Sequence, residues 1–341
     1  MKRFTRLALA AGAMFAALAF SGSAWAAYAP SLTVTSQRST PGRPTTIILG
    51  HIQSAADDPT AKDTIYAPPG YGVNLSQPVN TKIGDVSARL ILRNGGNAEV
   101  DVDGQVVADN PALHTSNACA PGLHAAVWKL NITVAGTPLS VPIYVDPVTG
   151  GPEAAFASAK IQLCLAGPIG TPAGAQLLFA FFDVSGVFTN PPTTTDRIWR
   201  ATFTPYTPGT PNPNPGGTTE GQALVPGRVS LTMKSKSLKR GRVTITGKLL
   251  VSGRPFRGAL IELYVPGPSG LRKVAQTRTN AQGNYTFRRK IRKRTRFTAE
   301  VLVIADRPLP CPAPPLPTPQ GCDTATISFY AFNVVTARRR R

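Results

Sequence analysis

The stretch WKLNITVAGTPLSVPIYV, residues 128–145, contains two runs in which apolar and polar residues alternate. Successive side chains of a strand point to opposite faces, so this alternation predicts two strands that each bury one face. Gly136 lies between the runs and predicts the turn of a β-hairpin. Pro142 has no N–H to donate, so we expect the second strand to lie at a sheet edge or to begin there. The apolar positions are Trp128, Leu130, Ile132, Val134, Leu139, Val141, Ile143 and Val145.

Short apolar-alternating segments recur on both sides of this hairpin, and helical periodicity is absent beyond residue 26. The 33 prolines and 31 glycines divide the chain into short segments. These features predict an all-β fold made of two β-sandwich domains of Ig-like or jelly-roll-like type. The further strands predicted are Leu32–Thr35, Thr45–Leu49, Val86–Arg93, Glu99–Ala108, Lys160–Leu165, Leu177–Val187, Ile198–Thr204, Val229–Lys234, Arg242–Val251, Ala259–Val265, Lys273–Thr279, Asn284–Ile291, Phe297–Ile304 and Thr324–Val335.

The amino-terminal residues have the layout of a secretory signal peptide. A basic start is followed by the apolar run Leu7–Phe20 and by SGSAWA, residues 21–26, with small residues at Ala24 and Ala26. The apolar run is too short to span a bilayer comfortably. We therefore expect cleavage after Ala26, export, and a mature chain that is secreted or cell-surface associated and is not an integral membrane protein.

A Pro- and Gly-rich stretch predicts the boundary between two domains. Residues 206–226 contain no sustained apolar pattern and are typical of an extended linker. The expected domains are residues 27–205 and 227–337, with a basic tail at 338–341. Residues 27–205 resemble no family that we can name.

Charge is distributed very unevenly along the chain, whose formal net charge is +20. Residues 27–220 carry ten basic and thirteen acidic side chains, whereas residues 221–341 carry 24 basic and four acidic ones. The basic character therefore belongs to the downstream half alone.

Four cysteines fit an oxidising compartment and allow three disulfide connectivities. We favour Cys119–Cys164 and Cys311–Cys322, because each pair then lies within one expected domain. A zinc site is disfavoured, since no two cysteines have the short spacing that such sites use.

The downstream half carries a family resemblance. GKLLVSGRPFRGALIELYV, from Gly247, is followed by TRTNAQGNYTF, ending at Phe287, and the pair resembles the carboxypeptidase regulatory-like family. This resemblance implies a transthyretin-like or Ig-like accessory sandwich with a non-catalytic role, and it carries over no functional residue. The matching positions are Gly247, Gly253, Pro255, Gly258, Ala259, Ile261, Leu263, Thr279, Gly283, Tyr285 and Phe287.

Motifs for catalysis, metal binding or a cofactor are not found, so we expect no catalytic residue, no metal and no cofactor. His114 and His124 bracket Cys119, but their spacing matches no standard metal site, and a loop is the simpler interpretation. Asp103-Gly104 has some likeness to a calcium loop, yet a hairpin turn explains it more simply. Asp57, Asp58 and Asp63 form a second acidic loop, for which calcium binding is disfavoured as well.

Two basic runs lie between predicted strands in the downstream half, KSKSLKRGR at 234–242 and RRKIRKRTR at 288–296. We interpret the second run as a hairpin tip. A solvated face is the simplest reading of such runs, and attraction of anionic polymers is the functional one. Candidate partners are cell-wall polymer, lipid or polysaccharide; sequence-specific nucleic acid is not expected, because recognised motifs and interleaved aromatics are missing. The candidate anion-binding residues are Arg288, Arg289, Lys290, Arg292, Lys293 and Arg294.

The sequence thus favours a non-catalytic exported protein with a structural or binding role at the cell envelope. The alternative is an exported carbohydrate-active or other hydrolytic enzyme whose carboxylates lie somewhere in residues 27–205. Clustered carboxylates in a deep cleft would favour the enzyme.

Overall fold

The computed structural model describes residues 28–93, 96–167, 175–308 and 324–338. The fold is all-β, as predicted, and within these ranges no helix is long and apolar enough to cross a membrane. Short 3-10 turns at Pro111–Leu113, Pro152–Ala155, Pro215–Gly217 and Lys239–Gly241 join some of the strands. The strands are β1 (Ser31–Ser36), β2 (Pro44–Ile52), β3 (Thr60–Ala67), β4 (Gly72–Val73), β5 (Lys82–Leu92), β6 (Ala98–Asp109), β7 (Ala126–Val134), β8 (Thr137–Pro147), β9 (Ala159–Cys164), β10 (Ala175–Thr189), β11 (Arg197–Pro205), β12 (Thr219–Val225), β13 (Val229–Leu231), β14 (Lys234–Ser237), β15 (Arg242–Val251), β16 (Arg254–Pro255), β17 (Leu260–Gly267), β18 (Gly270–Arg278), β19 (Asn284–Lys290), β20 (Thr295–Pro308) and β21 (Thr324–Ala337).

The hairpin predicted at residues 128–145 is confirmed as β7 and β8. Val134 pairs with Thr137 across a two-residue turn in which Ala135 and Gly136 both have positive φ, 47° and 84°. Positive φ at both positions matches the right-handed twist of the flanking strands. Pro142 lies where the pairing of β8 with β9 stops, because that ladder begins at Ile143. The first half of β8 is therefore a sheet edge, as Pro142 predicts.

One large sheet runs through most of the molecule and rolls around the first core. Its strand order is β1-β2-β10-β5-β6-β7-β8-β9-β3-β11-β12-β21-β20-β17-β18, with β4 paired to β10. The portion from β1 to β12 curls until β1 and β12 lie against each other without hydrogen bonds. Trp128, Trp199, Phe188 and Phe203 are fully buried in this core.

The downstream half is a two-layer sandwich built on the end of that sheet. Strands β21, β20, β17 and β18 form one layer, and β13, β14, β15, β16 and β19 form the other. Ile261, Leu263, Tyr285 and Phe287 are buried between the layers, as the alternation predicts. Gly283 has a φ of 74°, and a Cβ there would lie 2.4 Å from the carbonyl oxygen of Leu249, so this turn requires glycine.

The linker prediction is wrong over residues 219–225, which form the buried strand β12. This strand pairs antiparallel with β11 and parallel with β21. Ala223 and Val225 face the first core, whereas Leu224 between them faces the second. β12 is short and is flanked by many prolines, and its side chains alternate between two different cores. Composition alone therefore predicts a linker where the structure has a strand.

The Pro-rich residues before β12 form the loop of the β11–β12 hairpin. The Thr207 N–H donates to the Asn212 carbonyl (2.8 Å), and the Asn214 N–H donates to the Pro205 carbonyl (2.8 Å). The connection between the halves is instead the short segment around Gly227, whose N–H donates to Asp196 (3.1 Å). The division into residues 27–205 and 227–337 stays a prediction, since the two parts share sheet and side-chain contacts.

The disulfide predicted between Cys119 and Cys164 is present, with a Cα–Cα distance of 6.2 Å. It joins the loop before β7 to the end of β9. The predicted Cys311–Cys322 bridge, the signal peptide of residues 1–26 and residues 339–341 of the basic tail lie outside the described residues.

A cut in the hairpin loop tests whether residues 206–218 link two independent units. We expect that a sequence-specific protease site inserted between Gly209 and Thr210, once cleaved, leaves two fragments that co-elute in size-exclusion chromatography. The reason is that β12 stays hydrogen-bonded to β11 after the cut, while loop backbone without buried partners tolerates cleavage. Separation into two folded fragments would restore the linker interpretation.

A basic sheet face as the candidate functional site

Strands β14, β15 and β19 form a three-stranded sheet with one apolar and one polar face. On β15, Val243 and Ile245 point into the second core, and Tyr285 and Phe287 do so from β19. Because side chains alternate along a strand, the residues between them point to solvent.

The outward residues of these strands stand in rows across the sheet, and most of them are basic. Lys236, Thr244 and Arg288 form one row, and Arg242 and Lys290 form the next. No residue of the three strands is acidic. We call the six cations on this side the basic face: Lys234, Lys236, Arg242, Lys248, Arg288 and Lys290.

The two basic runs of the sequence meet at one end of this face. The Ile291 N–H donates to the Gly241 carbonyl (2.8 Å), so the turns at 239–241 and 291–294 lie side by side. Thr295 pairs with Ala337, which brings Arg338 to the same end. The sequence reveals the runs but not their convergence, because pairing between distant strands has no local signature.

The six candidate anion-binding residues divide between this face and its edge. Arg288 and Lys290 belong to the basic face, and Arg289 points to the other side of β19 but is also exposed. Residues 292–294 lie in the following turn and are exposed. The hairpin-tip prediction is wrong, because β19 pairs with β15 while β20 pairs with β17 and β21. Residues 291–294 therefore cross from one layer of the sandwich to the other.

These cations are not neutralised by carboxylates in the part of the chain that the structure describes. Strands lie about 4.8 Å apart and alternate residues about 6.7 Å apart along a strand, so neighbouring charges fall within a Debye length of about 8 Å. The face therefore acts as one positive field. Cations elsewhere in the described part of the chain do form ion pairs, among them Lys82, Arg89, Lys129, Lys160 and Lys273, together with the three histidines.

The histidines of the upstream half are each paired with a different aspartate. His114 Nε2 lies 2.7 Å from Asp109, and His124 Nδ1 lies 2.8 Å from Asp146. Cys119 between them is bonded to Cys164 and is not free to bind a metal. Among the described residues, no three His, Cys, Asp or Glu side chains are grouped so that they could hold an ion.

The acidic stretches singled out in the sequence also have structural roles. Asp103 and Gly104 lie in the middle of β6, so the hairpin-turn prediction is wrong. A Cβ at Gly104 would lie 2.0 Å from the carbonyl oxygen of Asn131, so this glycine serves a close approach of two strands. Asp57 accepts from the N–H of Ser54 (3.1 Å).

A buried ion pair lies at one end of the first core. His51 Nδ1 and Asp63 Oδ2 are 3.0 Å apart, and both side chains are almost fully buried. Burial alone would lower the pKa of His51, but the charge and hydrogen bond of Asp63 outweigh it, and the pKa lies above its ordinary value. Gln53 lies 3.2 Å from Nε2 and is itself bound by Thr60.

Two further carboxylates of the upstream half lie on neighbouring strands. Asp183 of β10 accepts from the N–H of Asp85 of β5, and burial raises the pKa of Asp183. These two point away from the rolled sheet's interior. The described residues that line the cavity inside the open end of that sheet include no charged side chain.

Comparisons with known proteins do not assign a family. No protein-family model matches the chain, and no curated protein sequence does. Solved structures with some similarity include a tetra-tandem repeat in the extending region of a large adhesion protein, with 10% identity, 90% of this chain and 99% of that chain covered, and a TM-score of 0.20. The FN1–FN3 domains of chicken CNTN1 show 9% identity, 92% and 100% coverage and a TM-score of 0.23. A beta-1,2-glucanase from Parabacteroides distasonis shows 9% identity, 92% and 37% coverage and a TM-score of 0.16. Scores this low do not establish a shared fold, so the functions of these proteins are not transferred to this chain.

The raised pKa of His51 gives a prediction about stability and pH. A histidine whose folded pKa exceeds its unfolded value, about 6.5, stabilises the fold below that value and loses the contribution as pH rises through the folded pKa. The free-energy difference between the parent and His51→Gln should therefore be largest in mild acid and shrink towards alkaline pH, as measured by urea unfolding from pH 5 to 9.

Asp63→Asn is the matched variant for this pair. It leaves the buried imidazole without its counter-ion and should cost about 3–5 kcal/mol in mild acid. Because burial alone lowers the pKa of His51, this variant should lose stability as the pH falls, whereas the contribution of His51 in the parent is largest in acid. A difference that stays constant across the pH range would show that the pair is not ionised in the folded protein.

Proposed function

We propose that this protein is a non-catalytic binding or structural protein of the cell envelope, retained on an anionic polymer by the basic face. The observation that carries this proposal is the convergence of both basic runs on one solvent-exposed sheet face without a carboxylate. Export by the sequence of residues 1–26 belongs to the same proposal. The downstream sandwich would then act as an accessory module of the carboxypeptidase regulatory-like type.

The arrangement of charge favours a flexible polyanion over a membrane or a nucleic acid. Threonine is the outward residue between the cations of β15, at Thr244 and Thr246, so the face offers no apolar side chain there to enter a bilayer. It also offers no aromatic ring on which a base could stack. A row of fixed cations instead attracts a chain of phosphate, sulfate or carboxylate groups without demanding a sequence.

The rival hydrolytic function lacks its expected feature in the described part of the chain. A glycosidase needs two carboxyl groups across a substrate cleft, and none of the described residues that line the cavity at the open end of the rolled sheet carries one. Binding is therefore the function that we propose.

Charge removal from the basic face should weaken binding to a soluble polyanion. We expect the full chain to bind dextran sulfate and not neutral dextran, with an affinity that falls steeply between 50 and 300 mM NaCl because exposed charges are screened. The triple variant Lys236→Gln, Arg288→Gln, Lys290→Gln should bind at least tenfold more weakly in isothermal titration calorimetry, with an unchanged melting temperature.

A charge-matched control separates the face from net charge. Arg254, Arg257 and Arg272 are exposed and lie outside the basic face, so replacing all three with Gln removes the same charge. Its affinity should stay within about twofold of the parent. Equal losses in the two triple variants would mean that only net charge matters and would overturn the proposal.

A further inference from the structure

A cavity of about 590 Å³ lies inside the open end of the rolled sheet. Strands β5, β7, β8 and β10 extend past the first core, and their inward side chains line its walls. This volume lies in the range of small-molecule sites, roughly 300–1,000 Å³. The aliphatic lining includes Val86, Leu90, Leu130, Ile132, Leu139 and Leu177.

The cavity opens to solvent where the sheet is left unpaired. Before Ile143, strand β8 pairs with β7 alone, because Pro142 has no N–H for the other side. The backbone after β9 turns to β3 instead, with the Leu165 N–H donating to the Ala61 carbonyl (2.9 Å). The first half of β8 and Leu165 therefore border a side opening.

The lining defines the chemistry of an occupant. Among the described residues it contains no charged side chain and no aromatic ring, so these walls offer neither a counter-ion nor a stacking surface. Leu90, Ile132, Leu139, Val141 and Leu165 remain half-buried although they face the concavity. Covering their apolar surface is favourable by about 25 cal/mol per Å².

Polar groups border the cavity at its side opening. Ser116 and Asn117 lie there in the loop that the Cys119–Cys164 disulfide holds against β9. Asn117 accepts from the Cys119 N–H (2.8 Å), which fixes the loop. Polar surface at the opening and aliphatic walls behind it fit a molecule with one polar end and one aliphatic tail.

We propose that this cavity binds one uncharged single-chain lipid, with its aliphatic tail between the sheet walls and its polar end beside residues 116–119. No described residue that lines the cavity is a cation, and the nearby Lys62 ammonium already donates to the Cys119 carbonyl (2.7 Å). This disfavours an ionised fatty acid, since its carboxylate would be desolvated without a free partner. The absence of aromatic rings disfavours a flat aromatic ligand. This site is independent of the basic face and shares no residue with it.

Binding of 1-monolaurin below its aggregation concentration tests the proposal directly. Isothermal titration of the full chain should show one molecule bound per chain, and saturating lipid should raise the melting temperature, because a ligand of the native state stabilises it. Laurate at pH 8 should bind at least tenfold more weakly. Absence of monolaurin binding, or binding of laurate at equal strength, would overturn the proposal.

Two neighbouring residues of β7 provide a matched pair of variants. Ile132 lines the cavity, whereas Thr133 points to solvent on the opposite side of the strand. Ile132→Lys should weaken monolaurin binding at least tenfold, because its charge lies in the tail site, and a half-buried Lys can still extend to water. Thr133→Lys adds the same charge and should bind as the parent does.

A cavity-filling variant keeps the test valid if Ile132→Lys fails to fold. Ala88 lines the cavity, and Ala88→Leu adds side-chain volume there without charge. It should weaken binding while leaving a cooperative thermal transition. Parent-like binding by a folded Ala88→Leu protein, or by a folded Ile132→Lys protein, would show that the lipid lies elsewhere.

Discussion

Strand β12 is the constraint on which the rest of the structure depends. Consecutive side chains of this seven-residue strand enter two different cores. Ala223 and Val225 pack in the first core, and Leu224 packs in the second. A strand can do this only because its side chains alternate between faces. The parallel pairing of Leu224 with Ile327 then sets the position of the downstream sandwich against the rolled sheet.

Other contacts make that junction broad. Leu302 and Ile304 of β20 pack against Ile48, Ile52 and Phe181 of the upstream half. Thr35 of β1 hydrogen-bonds to Ser328 of β21. A destabilising substitution in β12 should therefore disturb the packing of both cores, whereas a substitution in an exposed linker would disturb neither.

The alternation of apolar and polar residues was enough to predict most strands, because it shows which side chains point into the core. It failed for β3, where Lys62 and Asp63 interrupt the apolar pattern and the buried Asp63 is paired with His51. It also failed at Gly104, where glycine serves close strand packing and not a turn. In each case the deciding partner is distant in sequence, and a single chain carries no local signal for it.

The candidate sites differ in how far the sequence reveals them. The basic residues can be recognised in the sequence, but they form one face because β15 lies between β14 and β19. The cavity has no such signal, since Ile132 and Leu139 are the same kind of residue as the core positions Ile143 and Ile161.

The difference between the cavity and the core arises from pairing. Pro142 ends the β8–β9 ladder, and the apolar pattern of β8 continues past that point without a strand to cover it. The inward residues there pack instead against the facing wall of the rolled sheet, where Ile132 and Leu139 adjoin Leu177 and Ala180. Ile132 and Leu139 stay half-buried, and the proposed lipid would cover the apolar surface that this packing leaves exposed.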